Sequence, residues 1–125
     1  MMLLEPEVTL VEPSVFLQQL LVKNLKALDM RIKSIYTQGQ TALENYKADQ
    51  PDMLIVDHLL PDMSGIAFAE KVLTQNIYAS VILLIPDAMN YETQNYIARG
   101  VKAVLVKPFY AEALQKVLIE TISNA

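Results

Sequence analysis

The sequence predicts an α/β domain built on a parallel sheet. Three observations lead there. Five short apolar runs recur along 125 residues, segments with helical spacing lie between them, and no linker, repeat or low-complexity tract breaks the alternation. With 53% hydrophobic residues the chain has enough apolar material for one continuous core.

In chain order, the runs are Val8 to Val11, Met30 to Tyr36, Met53 to Val56, Val81 to Ile85 and Ala103 to Val106. Four are nearly all apolar, as strands buried on both faces require. The second, "MRIKSIY", carries Arg31, Lys33 and Ser34 and so reads as an edge strand. Between the runs, Leu17, Leu21, Leu25 and Leu28 form a first helical stripe, and Ile66, Ala69, Val72 and Leu73 form another. Tyr110, Leu114, Val117, Leu118 and Ile122 form the last. Gln40 to Ala48 and Ala88 to Ala98 are shorter and more weakly periodic, and are expected to be helices with ill-defined ends. Strands and helices alternating in this way join through right-handed crossovers, with helices on both faces of the sheet.

The net charge of −4, with basic residues scattered along the chain, argues against a nucleic-acid partner, which calls for a basic stripe. The absence of cysteine excludes disulfides and thiolate metal sites and suits a reducing cytoplasm. The opening "MMLLEPEVTLVEP" lacks a basic leader region and a small-residue cleavage site, and no apolar run approaches the roughly 20 residues of a membrane span. The expectation is a soluble cytoplasmic protein with no membrane partner.

In such sheets ligands bind beyond the carboxyl ends of the strands, where the strand order reverses. The residues closing the strands are Glu12, Asp57, Pro86 with Asp87, and Lys107. Carboxylates there suit Mg²⁺, and a lysine can hold a phosphoryl group as a point charge. Charges at solvated strand ends are the alternative. Pro13 and Ser14 after Glu12 also make a sound helix start, with Ser14 as N-cap.

"LIVDHLLPDMSG" (Leu54 to Gly65) resembles the phosphoacceptor segment of response-regulator receiver domains, in which Asp ends a strand and Pro, Met and Gly follow four, six and eight residues later. Pro61, Met63 and Gly65 stand at those places, and "RGVKAVLVKPF" resembles the family's Lys-Pro segment, with Gly100 just before the strand. The resemblance runs from about Val8 to Ile122, in order. It implies a flavodoxin-like (βα)5 fold with a five-stranded sheet in order 2-1-3-4-5. It also implies that Asp57 is phosphorylated by a sensor histidine kinase or phosphotransfer protein, that Lys107 contacts the phosphoryl group, and that Lys107-Pro108 is a cis peptide.

The departures are as informative. Receivers usually end their first strand in two acids, the second a direct Mg²⁺ ligand; here the pair is Glu12-Pro13, which leaves Glu12 and Asp57 for a weakened Mg²⁺ site. The fourth strand usually ends in Ser or Thr and a small residue; Ile85 has no hydroxyl and Pro86 no N–H. Losing two donors to a charged group weakens phosphoryl stabilisation by roughly 3 to 6 kcal/mol, more than the few that usually separate two conformers. The aromatic residue expected three before the lysine is Val104.

Of the remaining candidates, His58 follows Asp57, but strand alternation is expected to turn it elsewhere. Asp87 suits a turn or helix cap, or the site rim through water, and Asp62 is read as a loop residue. Tyr91, Tyr96 and Tyr110 fall in the fourth and fifth helical regions, the face receivers often offer to a downstream protein partner.

Two readings follow. One is a two-component receiver with Asp57 at the phosphoacceptor position of a degenerate site; the other is a pseudo-receiver whose signalling does not depend on phosphorylation. An enzyme on the same fold is disfavoured, since only three glycines occur and no Gly-rich phosphate loop appears. A single receiver-like domain over residues 1–125 is expected, with no output domain, acting alone or as a piece of a longer protein.

Overall fold

The computed structural model describes residues 5–123. The leader reading of the opening residues therefore lies partly outside the described residues, as do the last two positions. Five parallel strands form one sheet in the order β2-β1-β3-β4-β5. They are β1 (Glu7–Val11), β2 (Arg31–Tyr36), β3 (Met53–Asp57), β4 (Val81–Pro86) and β5 (Ala103–Lys107). The helices between and after them are α1 (Val15–Ala27), α2 (Gly39–Asp49), α3 (Gly65–Gln75), α4 (Thr93–Ala98) and α5 (Ala111–Ser123).

The sheet separates two cores. Leu21 and Leu25 of α1 and Leu114, Leu118 and Ile122 of α5 cover one face, against Val8, Leu10, Ile55, Ile82 and Leu84. Phe68, Ala69 and Val72 of α3, Ala42 and Tyr46 of α2 and Tyr96 of α4 cover the other, against Val11, Val56, Leu83 and Ile85. Strands β3 and β4 are buried almost throughout because both faces are covered, which is why they read as unbroken apolar runs.

β2 is the edge its polar residues anticipate. Its register against β1 shifts between Val8↔Ile32 and Thr9↔Ser34, so Lys33 is the extra residue of a bulge. This explains an oddity of the sequence: Ile32 and Ile35 stand three apart, yet pair with Val8 and Leu10, which share one core.

Two expectations need correction. The fourth helical segment is broken into a 3-10 stretch, Asp87–Glu92, followed by the short helix α4. Tyr110 does not belong to the last helical stripe: it precedes α5 and is 87% exposed. No helix among the described residues is long and apolar enough to cross a membrane.

Candidate functional site at the carboxyl ends of the strands

Strands β1, β3 and β5 deliver Glu12, Asp57 and Lys107 to one place. Asp57 ends β3 and is 4% exposed; Lys107 ends β5 and donates from Nζ to Asp57 Oδ2 at 2.8 Å. The other carboxylate oxygen, Oδ1, accepts the Leu59 amide at 3.1 Å. The Lys107-Pro108 peptide is cis.

Glu12 follows β1 and is more deeply buried than a lone carboxylate usually is, at 1% exposure. Its backbone N–H continues the ladder to the Tyr36 carbonyl at 2.9 Å, and its carbonyl accepts Gln18 Nε2 at 2.6 Å. Oε2 accepts the Ser14 amide at 3.0 Å, whereas Oε1 is buried without a partner. Ser14 caps α1, its hydroxyl accepting the Leu17 amide at 3.3 Å. Thus "EPS" turns the chain, starts the helix and holds Glu12 inward.

The two carboxyls titrate apart. Burial, then the neighbouring Asp57 carboxylate, push Glu12 up to about 7, against the Ser14 amide and Lys107. Burial alone would raise Asp57, but the neighbouring Glu12 carboxyl and the hydrogen bonds from Lys107 and the Leu59 amide outweigh it and hold Asp57 below its ordinary value. Around neutrality Glu12 is thus a roughly half-protonated neighbour to an Asp57 anion already matched by the Lys107 cation.

Few oxygens here stand open to Mg²⁺, which demands near-octahedral oxygen coordination. Both Asp57 oxygens hold N–H donors, Glu12 Oε2 holds another, and Pro13 has no oxygen in its side chain. Among the described residues, no three His, Cys, Asp or Glu side chains are disposed to hold a metal ion.

The three altered positions are absorbed by packing. Ile85 is fully buried among Val56, Phe68 and Tyr96 in the core under α3 and α4, and Val104 packs against the same cluster. Pro86 ends β4 with its ring half-buried, beside Lys107 in the ladder. Asp87 opens the 3-10 stretch and is exposed, and no side-chain hydrogen bond caps the stretch.

Other contacts escaped sequence reasoning. His58 Nδ1 lies 2.9 Å from Asp57 Oδ1, although strand alternation turns it away. Alternation ends with the strand: β3 stops at Asp57 and the chain bends at His58. Asp62 is more than a loop residue. Its Oδ1 and Oδ2 accept the amides of Gly39 at 2.9 Å and Gln40 at 2.8 Å, capping α2 where Gln38 provides no side-chain cap. Those amide bonds, the Gln40 one foremost, hold the Asp62 carboxyl below its ordinary range. No local pattern signals a cap that arrives from 22 or 23 residues away.

Of the three tyrosines proposed for a partner face, Tyr91 and Tyr110 are 79% and 87% exposed, whereas Tyr96 is 6% exposed and belongs to the core.

Residues 8–119 match the family model described as the response regulator receiver domain. The chain is 27% identical over 114 residues to the chemotaxis protein CheY of Thermotoga maritima, covering 88% of this chain and 95% of that protein. Among solved structures, a signal receiver domain from Vibrio parahaemolyticus superposes with a TM-score of 0.87 at 28% identity, covering 97% of this chain and 92% of that one. The chemotaxis response regulator CheY4 of Vibrio cholerae gives 0.82 at 25% identity, covering 93% and 98% respectively.

Proposed function

The chain belongs to the response-regulator receiver domain family of two-component signalling, and from that premise we propose that its signalling state is set by protein partners and not by phosphate on Asp57. One observation carries the reading. Asp57 lies in a shell made by the protein itself, with Lys107 on Oδ2 and the Leu59 amide on Oδ1, beside a Glu12 raised to about 7. The positions that would meet a phosphoryl group with a hydroxyl and an amide instead hold Ile85, packed into the core, and Pro86, which has no N–H.

Receiver domains interact with histidine kinases or phosphotransfer proteins and with downstream effectors. In this protein the effector docks on the face of α4 and α5, where Tyr91 and Tyr110 stand exposed. The domain is a signalling module without catalytic turnover of its own. It acts in the cytoplasm, which suits a cysteine-free chain.

The Lys107 contact favours a second reading, in which Asp57 remains a poor phosphoacceptor whose product the lysine still holds. Beryllofluoride or a small-molecule phosphodonor with millimolar Mg²⁺ separates the two, with Asp57 followed by intact mass and NMR. A folded protein that forms no adduct supports partner control. An adduct that moves the resonances of Tyr91, Tyr96 and Tyr110 overturns it, and an adduct that leaves them in place retains phosphorylation without the usual switch.

A further inference from the structure

His58 has no part in the family pattern or in the reading of the strand ends, yet it touches the central carboxylate. Its Nδ1 is 2.9 Å from Asp57 Oδ1, its side chain is 22% exposed, and the nitrogen itself is buried without an aligned hydrogen bond. A neutral imidazole nitrogen is either an N–H seeking an acceptor or a lone pair seeking a donor. A lone pair there would face a carboxylate oxygen at close range and be repelled. An N–H would have its acceptor already within hydrogen-bonding distance, and the ring's second torsion is soft enough to align it.

We propose that His58 carries its proton on Nδ1 and donates it to Asp57 Oδ1, as a positioning residue that completes the donor shell of the carboxylate. Lys107 then serves one oxygen, while the Leu59 amide and the His58 ring serve the other.

The backbone of the same residue extends the effect. His58 N–H donates to the Leu84 carbonyl at 2.8 Å, and the His58 carbonyl accepts the Gly65 amide at 2.8 Å. His58 therefore ties β4, the Asp57 carboxylate and the first turn of α3 together.

The test uses the full chain without Mg²⁺ or phosphodonor, so that adduct formation at Asp57 does not enter. Because the sequence contains one histidine, a long-range proton–nitrogen correlation spectrum reads its tautomer without ambiguity. Nδ1 is expected in the protonated range and Nε2 in the unprotonated range for the neutral ring; the reverse assignment overturns the proposal. Two variants add a readout that packing alone would not produce. His58→Asn keeps an N–H near the Nδ1 position, and His58→Leu removes it. The Asp57 carboxyl-carbon and Leu59 amide signals should stay near their original positions in the first and shift in the second. Equal shifts in both would sink the idea, and if the leucine variant does not fold, the tautomer of the unaltered chain still decides.

Discussion

A Cβ on Gly65 would stand 2.2 Å from the carbonyl oxygen of Asp57. The start of α3 is thus pressed against the strand end that carries the site, and the glycine eight residues after the aspartate is there for lack of space. Gly65→Ala forces backbone to move, since the nearest obstacle is the Asp57 carbonyl and not only the Leu83 side chain, whose Cδ1 would lie at 2.7 Å. The expected cost is about 3 kcal/mol, at the upper end for overpacking, measured as a loss of stability in urea.

Lys107→Ala leaves the Asp57 carboxylate buried without its cation. Because the lysine is itself 22% exposed, the expected loss is about 2 to 3 kcal/mol, below that of a fully buried pair. Asp57→Asn costs less, since the ammonium can turn toward water. The double variant should recover part of the Lys107→Ala loss, and a double-mutant cycle in chemical denaturation measures this coupling. Strict additivity would show that the 2.8 Å contact is not a stabilising one.

Glu12 makes stability fall as pH rises. Its carboxyl titrates near 7 in the folded chain against an ordinary 4.5, so between these values the folded state retains a proton that the unfolded state has shed. Stability is therefore fully present below about 4.5 and declines toward about 7, by up to about 1.4 kcal/mol per pH unit. Asp57 acts oppositely: held below its ordinary 3.8, it contributes stability above that value, lost as pH falls through its lowered one. Denaturation curves at pH 4.5, 6 and 7.5 should converge for Glu12→Gln and separate for the original chain. Parallel profiles would assign the pH dependence to another group.

Asp62→Ala removes the cap that the β3–α3 loop places on α2. The Gly39 and Gln40 amides lose their acceptors, so their hydrogen exchange should accelerate while the amides of β3 remain protected. Unchanged exchange at both amides would mean that water or Gln38 replaces the carboxylate without loss.

Tyr96 and Tyr91 differ in burial although they lie five residues apart. Tyr96→Ala empties a core position at 6% exposure and should cost about 3 kcal/mol, whereas Tyr91→Ala at 79% exposure should stay within about 0.5 kcal/mol. Thermal melts of the two variants compare them directly.

The elements were legible because each rests on a short-range rule. Apolar runs covered on both faces became β1, β3 and β4, and Arg31, Lys33 and Ser34 marked the edge strand β2; the apolar run of β5 instead forms the other edge, half-buried except at Leu105. Pro13 and Ser14 marked the start of α1. The break between the 3-10 stretch and α4 was not legible: that segment is short and weakly periodic, and its first six residues bury no side chain to signal a face. Tyr110 fits the helical spacing of Leu114, but its position before the first turn of α5 leaves it in solvent.

For the site, residue order along the chain is enough to say which chemical groups reach the strand ends and which are missing: Glu12, Asp57 and Lys107 arrive, while Pro13, Ile85 and Pro86 bring no further acid, hydroxyl or amide. Strand periodicity suffices for this, because the last residue of a strand is a local fact. What those groups do to one another follows from the packed fold. Glu12 rises to about 7 because burial and Asp57 act on it together, and Asp57 stays low because the Lys107 and Leu59 donors and the adjacent Glu12 carboxyl outweigh burial. His58 reaches Asp57 because the chain bends where β3 ends, and Asp62 caps a helix from 22 to 23 residues away. Burial and through-space contact depend on every element packed around a group, and no spacing along the chain encodes them.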